Sequence, residues 1–260
     1  MTPAPPDVAD WGFPNQATPV GSAAYYAVRF SPEPLRRRNA LLFAWYQVIQ
    51  DVTGNRRDPG AARLKLDWWR QEVTNIPRGE VKHPLAIALQ ASGIMEIAVP
   101  VMTAMIDCAD EEIHAGSPAN EEAFVSNCRG GMGNLFRLLA QLENRTDIPV
   151  EACLGTGGYC AAVERIRCLS GSPHRLPRDL APERRQQLGP SGWTERIEAV
   201  LSRLHAETGP DADRLPGFAR RLAALSRAMH SRMRRLGYPV TEPAVNRAPI
   251  ADLWTAWRCR

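Results

Sequence analysis

Lysine is almost missing from this 260-residue chain: Lys65 and Lys82 are the only two among 32 basic residues. Its positive charge is therefore guanidinium, which grips carboxylate or phosphate through a planar pair of donors where geometry permits. No run of about 18 apolar residues occurs, so a helical membrane span is not expected. Residues 1–10, MTPAPPDVAD, have neither a basic start nor an apolar stretch, so a secreted product is not expected either. A cytoplasmic location, with peripheral contact at the inner membrane as a variant, is the expectation. The six cysteines form no CxxC pair and read as reduced thiols. Cys153, Cys160 and Cys168 share a helical face but read as small buried hydrophobes, because zinc ligands usually come in sequence-close pairs. There is no P-loop, no GxGxxG after a strand, no HExxH and no GxSxG. The GTGG at 155–158 lacks the Lys-Ser/Thr tail of a phosphate loop and reads as a close helix contact. The five histidines are not at ligand spacing. No period-2 run bounded by turn residues occurs, which argues against a sheet.

What is present is helical periodicity broken by proline and glycine, and it predicts an all-α, single-domain helical bundle. A mobile, proline-rich leader is expected over residues 1–20 and the helical domain over 21–260. The helix predicted over Glu33 to Thr53 carries Leu42, Trp45, Tyr46, Ile49 and Val52 as one apolar stripe. In the next helix Trp68 and Trp69 flank one face, so at least one should be buried. From Gly171 to Arg260 there are sixteen arginines against nine acidic residues, a surplus of seven under an overall charge of +4. The helix predicted over Gly217 to Leu236 has an apolar stripe from Phe218 to Leu236 and a solvated face bearing Arg220, Arg221, Arg227, Arg234 and Arg235. Such a face fits an acidic protein partner or an anionic membrane surface. Nucleic acid is not expected, because no accessible aromatics are interleaved with the arginines.

The order of several blocks resembles the squalene/phytoene synthase family. Ser22 to Asn55 (SAAYYAVRFSPEPLRRRNALLFAWYQVIQDVTGN) is similar to the family's first block, which ends in Asp-Asp-x-x-Asp. LKLDWWRQEV at 64–73, HPLAIAL at 83–89 and RGGMGNLFRLL at 129–139 resemble its following helices. GGYCAAVERIR at 157–167, followed by Arg175-Leu176-Pro177, resembles its second block. The resemblance implies an isoprenoid-synthase bundle whose two aspartate-rich helix ends hold Mg²⁺ against an allylic diphosphate.

The carboxylates that this chemistry needs are mostly replaced. In the first block only Asp51 remains, while Gln50 and Gly54 take the flanking positions; in the second block Cys168 and Ser172 stand for the two aspartates. No resident metal or other cofactor is expected, and Asp51 is the one residual catalytic position. The pattern resembles the family's non-catalytic branch, which includes a mitochondrial assembly factor for respiratory complex I. The resemblance places Tyr26, Arg29, Gln50, Asp51, Tyr159, Arg167 and Arg175 around a ligand site for an isoprenoid diphosphate or another anion. An active prenyl-diphosphate transferase is the alternative, with Mg²⁺ held by a regrouped set drawn from Asp51, Asp58, Asp67 and Glu72.

Overall fold

Short local signals start the helices of this chain. Ser22 accepts from the Tyr25 amide to begin α1 (Ala23–Arg29), and Asp58 accepts from Ala61 ahead of Pro59 to begin α3 (Pro59–Asn75). His83 Nδ1 accepts from Leu85 ahead of Pro84 to begin α4 (Pro84–Ala91), and Asn120 caps α6 (Glu121–Cys128). Between these run α2 (Glu33–Gly54) and α5 (Val99–Ala115). The second half contains α7 (Asn134–Leu142), α8 (Val150–Arg167), α9 (Arg184–Ala206), α10 (Gly217–Arg235) and α11 (Pro249–Arg258). The structure, a computed structural model, describes residues 11–54, 58–94, 96–169, 173–178, 180–181, 184–239 and 247–259. No strand occurs among the described residues.

α2 is buried almost all round from Asn39 to Tyr46, with Trp45 and Ile49 wholly removed from solvent, as the stripe requires. Each such side chain stabilises the fold by roughly 1.5–3 kcal/mol. Around α2 pack α1, α3, α4, α5 and α7. Trp69 is buried at 4% exposure while Trp68 remains at 39%, because the apolar stripe of α3 is wide enough for only one of them. Packing begins before the expected domain start at Gly21. Trp11 lies against His83, Phe13 stacks on Tyr25, and Thr18 is wholly buried beside Asn15, so residues 11–20 are docked on the bundle. Residues 1–10 of the expected leader lie outside the described residues.

α6 runs into α7 through a π-helical turn, Arg129–Gly133, pressed against α8. A Cβ on Gly157 would stand 2.5 Å from the Met132 carbonyl oxygen and 2.6 Å from Gly133 Cα. The GTGG segment is therefore a helix crossing in which backbones touch. α10 departs from the expected distribution of arginines in one respect: Arg221 is buried. Its Nε donates to the Ala27 carbonyl and its Nη2 to Ser31 Oγ, each at 2.8 Å. Ala27 belongs to the last turn of α1, whose carbonyls have no partner within the helix, and the guanidinium supplies one.

Candidate functional site

One face of α2, one of α8 and one of α10 enclose a cavity of about 860 Å³. On α2 the lining runs Ala44, Val48 and Asp51; on α8, Cys160, Val163 and Arg167; on α10, Leu222, Leu225 and Met229. Spacings of three and four put each set on one side of its helix. The π turn adds Met132, and Phe43 adds an aromatic wall. Residues 19–21 and Pro249 form part of the remaining boundary, where a Cβ on Gly21 would stand 4.0 Å from Pro249 Cγ, in ordinary contact.

Charged groups stand at two places in this wall, which also carries Gln16, Ser22, Gln47 and Ser226 among its apolar side chains. At one, Asp51 of α2 shares the cavity with Glu164 and Arg167 of α8. Arg167 Nε donates to Glu164 at 2.8 Å, an i, i+3 pair. Burial pushes the Asp51 carboxyl above its ordinary range, and Arg175 opposes that shift. At the other, Arg247 Nε meets Asp252 of α11 at 3.1 Å, and both side chains are mostly shielded from solvent.

Gln50 joins a buried network adjoining the first of these places. Arg175 Nη2 donates to Gln50 Oε1, and Arg175 Nε donates to Glu112 Oε1 at 3.2 Å. Glu112 Oε2 in turn accepts from Arg165 Nη2 at 2.7 Å. Burial pushes the Glu112 carboxyl up, but Arg165 and Arg175 together outweigh this and hold it below the usual carboxylate range. A Cβ on Gly131 would come within 3.5 Å of Gln50 Nε2, so the amide is packed on its other side as well.

Of the residues expected at a ligand site, the structure brings Asp51 and Arg167 together on the cavity wall. Gln50 and Arg175 sit in the adjoining network. Tyr26 is buried near Asp252, outside the lining. Arg29 is exposed on α1, where it donates to Tyr25 Oη at 2.8 Å. Tyr159 shares a 3.0 Å hydrogen bond with His230 Nδ1 among α8, α9 and α10. Two pairs were not anticipated, Glu112 with Arg165 and Arg247 with Asp252. Glu112 was legible, since it lies three residues from Ala109 and seven from Met105 on the buried face of α5; nothing in the pattern announced Arg247 and Asp252.

The groups at the aspartate positions do not fit the Mg²⁺ cluster that the resemblance implies. The Gln50 amide oxygen is taken by Arg175, and Gly54 offers no side chain. The Cys168 thiol is pushed up to about 12 by burial and then by Glu164, so it stays protonated. Ser172 lies outside the described residues. Asp58 caps α3, Asp67 pairs with Arg70, and Glu72 accepts from the backbone amides of Lys82 and His83. Among the described residues no group of three or more His, Cys, Asp or Glu is arranged to hold a metal ion.

The helical arrangement matches that of a solved dehydrosqualene synthase in complex with ligand. That likeness covers 91% of this chain and 90% of the other, with a TM-score of 0.69 at 14% identity. The architecture is thus the helical isoprenoid-synthase fold. The sequence model of the squalene/phytoene synthase family matches residues 17–164, more than half of the chain, and the chain belongs to that family. The match ends at Glu164, before Arg165, Arg167 and Cys168 at the end of α8. No match is found among curated protein sequences.

Proposed function

We propose that this chain is a non-catalytic member of the squalene/phytoene synthase family that binds an isoprenoid without Mg²⁺. The observation that carries this reading is Arg175, whose guanidinium bonds Gln50 and Glu112 beside the one remaining aspartate, Asp51. A guanidinium held by Gln50 and Glu112 supplies positive charge there, but it lacks the open coordination positions with which a metal draws off a departing diphosphate. The cavity, with its apolar stretches on α2, α8 and α10, supports retained binding, since about 860 Å³ falls in the range of small-molecule sites, about 300–1,000 Å³. In this reading Arg167, which lines the cavity, meets the ligand's anionic head at the expense of its pair with Glu164. A role as an assembly or scaffold protein is compatible with such a ligand, which would then stabilise the fold rather than react. The transferase alternative finds less support, because Asp58, Asp67 and Glu72 are engaged elsewhere rather than gathered with Asp51.

Titration calorimetry with a non-hydrolysable farnesyl diphosphate analogue tests the proposal. Affinity should be the same with Mg²⁺ or with a chelator, should weaken in Arg167→Gln, and should vanish when Leu222→Trp fills the cavity. Binding that requires Mg²⁺, or release of diphosphate from farnesyl diphosphate, would overturn the reading in favour of an active transferase.

A further inference from the structure

α11 carries a partly exposed apolar face. Ile250, Leu253, Trp254 and Trp257 follow i, i+3, i+4, i+7 spacing, and all four are exposed, at 75%, 37%, 58% and 41%. The two indoles stack on each other with centroids 5.1 Å apart. Asp252 and Ala256, on the other side of the helix, are buried where α11 packs on α10 and α1. The exposed side therefore carries no carboxylate; its charge is Arg258, one turn beyond Trp254. α1, against which α11 packs, exposes Arg29.

This face continues into the rim of the cavity. Pro249, next to Ile250, lines it together with Val20, which is 73% exposed. Val20, which lines the chamber, and Ile250, next in sequence to the lining residue Pro249, are thus two of the most exposed large apolar side chains among the described residues.

We propose that the α11 face docks on the headgroup region of an anionic lipid bilayer and presents the cavity rim to it. Three observations select this occupant. Stacked tryptophans on a short amphipathic helix suit the boundary between headgroups and acyl chains, where an indole keeps its ring in apolar surroundings and its N–H in water. The charge on the face is the Arg258 guanidinium, and the C-terminal part of the chain from Gly171 carries a surplus of seven positive charges, complementary to lipid phosphate. The apolar rim leads to a chamber, which suits contact with a lipid phase. No helix among the described residues is long and apolar enough to cross the membrane, so attachment by this face is peripheral. The surface does not rest on the ligand reading above, because it is defined by residues outside the cavity's charged pairs.

Co-flotation of the full chain with vesicles decides the matter. Wild-type protein should float with mixed phosphatidylcholine–phosphatidylglycerol vesicles and much less with phosphatidylcholine alone. Trp254→Ser with Trp257→Ser should lower partitioning about tenfold. Arg258→Glu should lower it about fivefold on the anionic vesicles only. A conservative variant guards against misfolding: with Trp254→Phe and Trp257→Phe, quenching of protein fluorescence by brominated lipid should fall while circular dichroism and flotation persist. Equal flotation of wild type and the serine variant would overturn the proposal. So would a wild-type dimer in light scattering that the serine variant converts to monomer, since a second copy would then cover the face.

Discussion

Glu112→Gln tests whether Arg175 is held as an internal cation. The carboxylate lies between two guanidiniums, with Arg165 at 2.7 Å and Arg175 at 3.2 Å. Side-chain exposure is 5% for Glu112, 6% for Arg165 and 14% for Arg175, so water screens this cluster poorly. Removing the negative charge leaves two buried cations facing a neutral amide. Breaking a buried pair in this way costs about 3–5 kcal/mol, because the charge left behind has lost its hydration as well as its partner. For a protein of this size that is a fall in Tm of about 6–20 °C. Thermal unfolding followed by circular dichroism measures it, with the Arg70–Asp107 pair as the reference: those side chains are 31% and 52% exposed, and Asp107→Asn should cost less than about 1 kcal/mol. Glu112→Gln combined with Arg165→Met should recover part of the loss, since one unpaired cation has been removed. A cost for Glu112→Gln alone no larger than that of Asp107→Asn would refute the reasoning, because the cluster would then be hydrated and Arg175 free to leave Gln50.

The helix crossing gives a second, steric expectation. Gly157→Ala should destabilise by about 3 kcal/mol or more, because its Cβ meets backbone atoms of Met132 and Gly133. Gly54→Ala, where nothing lies within 4 Å, should be neutral or stabilise by up to about 1 kcal/mol; denaturant titration of both variants checks the contrast. Burial holds the His230 imidazole below its ordinary 6.5. The unfolded chain therefore takes up its proton first, and stability should fall as pH drops below 6.5. Tm should decline between about pH 7 and pH 5, and less so in His230→Gln. Glu198 behaves differently: burial raises its pKa, but hydrogen bonds from Arg234, Ser202 and Tyr238 bring it to about 2. Its contribution is present above the ordinary carboxylate value of 4.5 and is lost only as pH falls from there towards 2. A Tm that rises on acidification through the histidine range would contradict the assignment.

Helix positions were readable wherever one face of a long segment decides its burial. α2 follows its apolar stripe and α10 follows its own up to Met233, with Leu236 past the helix end exposed, and the unequal fates of Trp68 and Trp69 follow from stripe width. Shorter or interrupted elements were not readable. α1 has seven residues and offers too little period, while α9 is interrupted at Gly189, where φ is 70°. The π turn at Arg129–Gly133 carries no local signature; its glycines answer to three different helices, Gly130 to Cys108 of α5, Gly131 to Tyr46 and Gln50 of α2, and Gly133 to the Leu154 backbone of α8. Arg221 illustrates the same limit for charge. Periodicity put it on the wet side of α10, but unsatisfied acceptors at the end of α1, 194 residues away, hold it inside.

The candidate site obeys a charge balance that spacing alone could not display. Arg165 and Arg175 bring two positive charges to the end of the first family block, and Glu112 with Asp51 brings two carboxylates. Gln50 contributes none, so with both carboxylates ionised the cluster is neutral without a bound cation. An aspartate at position 50 would add a negative charge beside Asp51 and Glu112, and the surplus would favour either a metal or a protonated carboxylic acid. Gln50 and Arg175 thus act together here: the amide adds no charge to the cluster, and its oxygen accepts from the guanidinium. The charge that position 50 can carry is therefore set by an arginine 125 residues further on, which its amide oxygen meets in the fold.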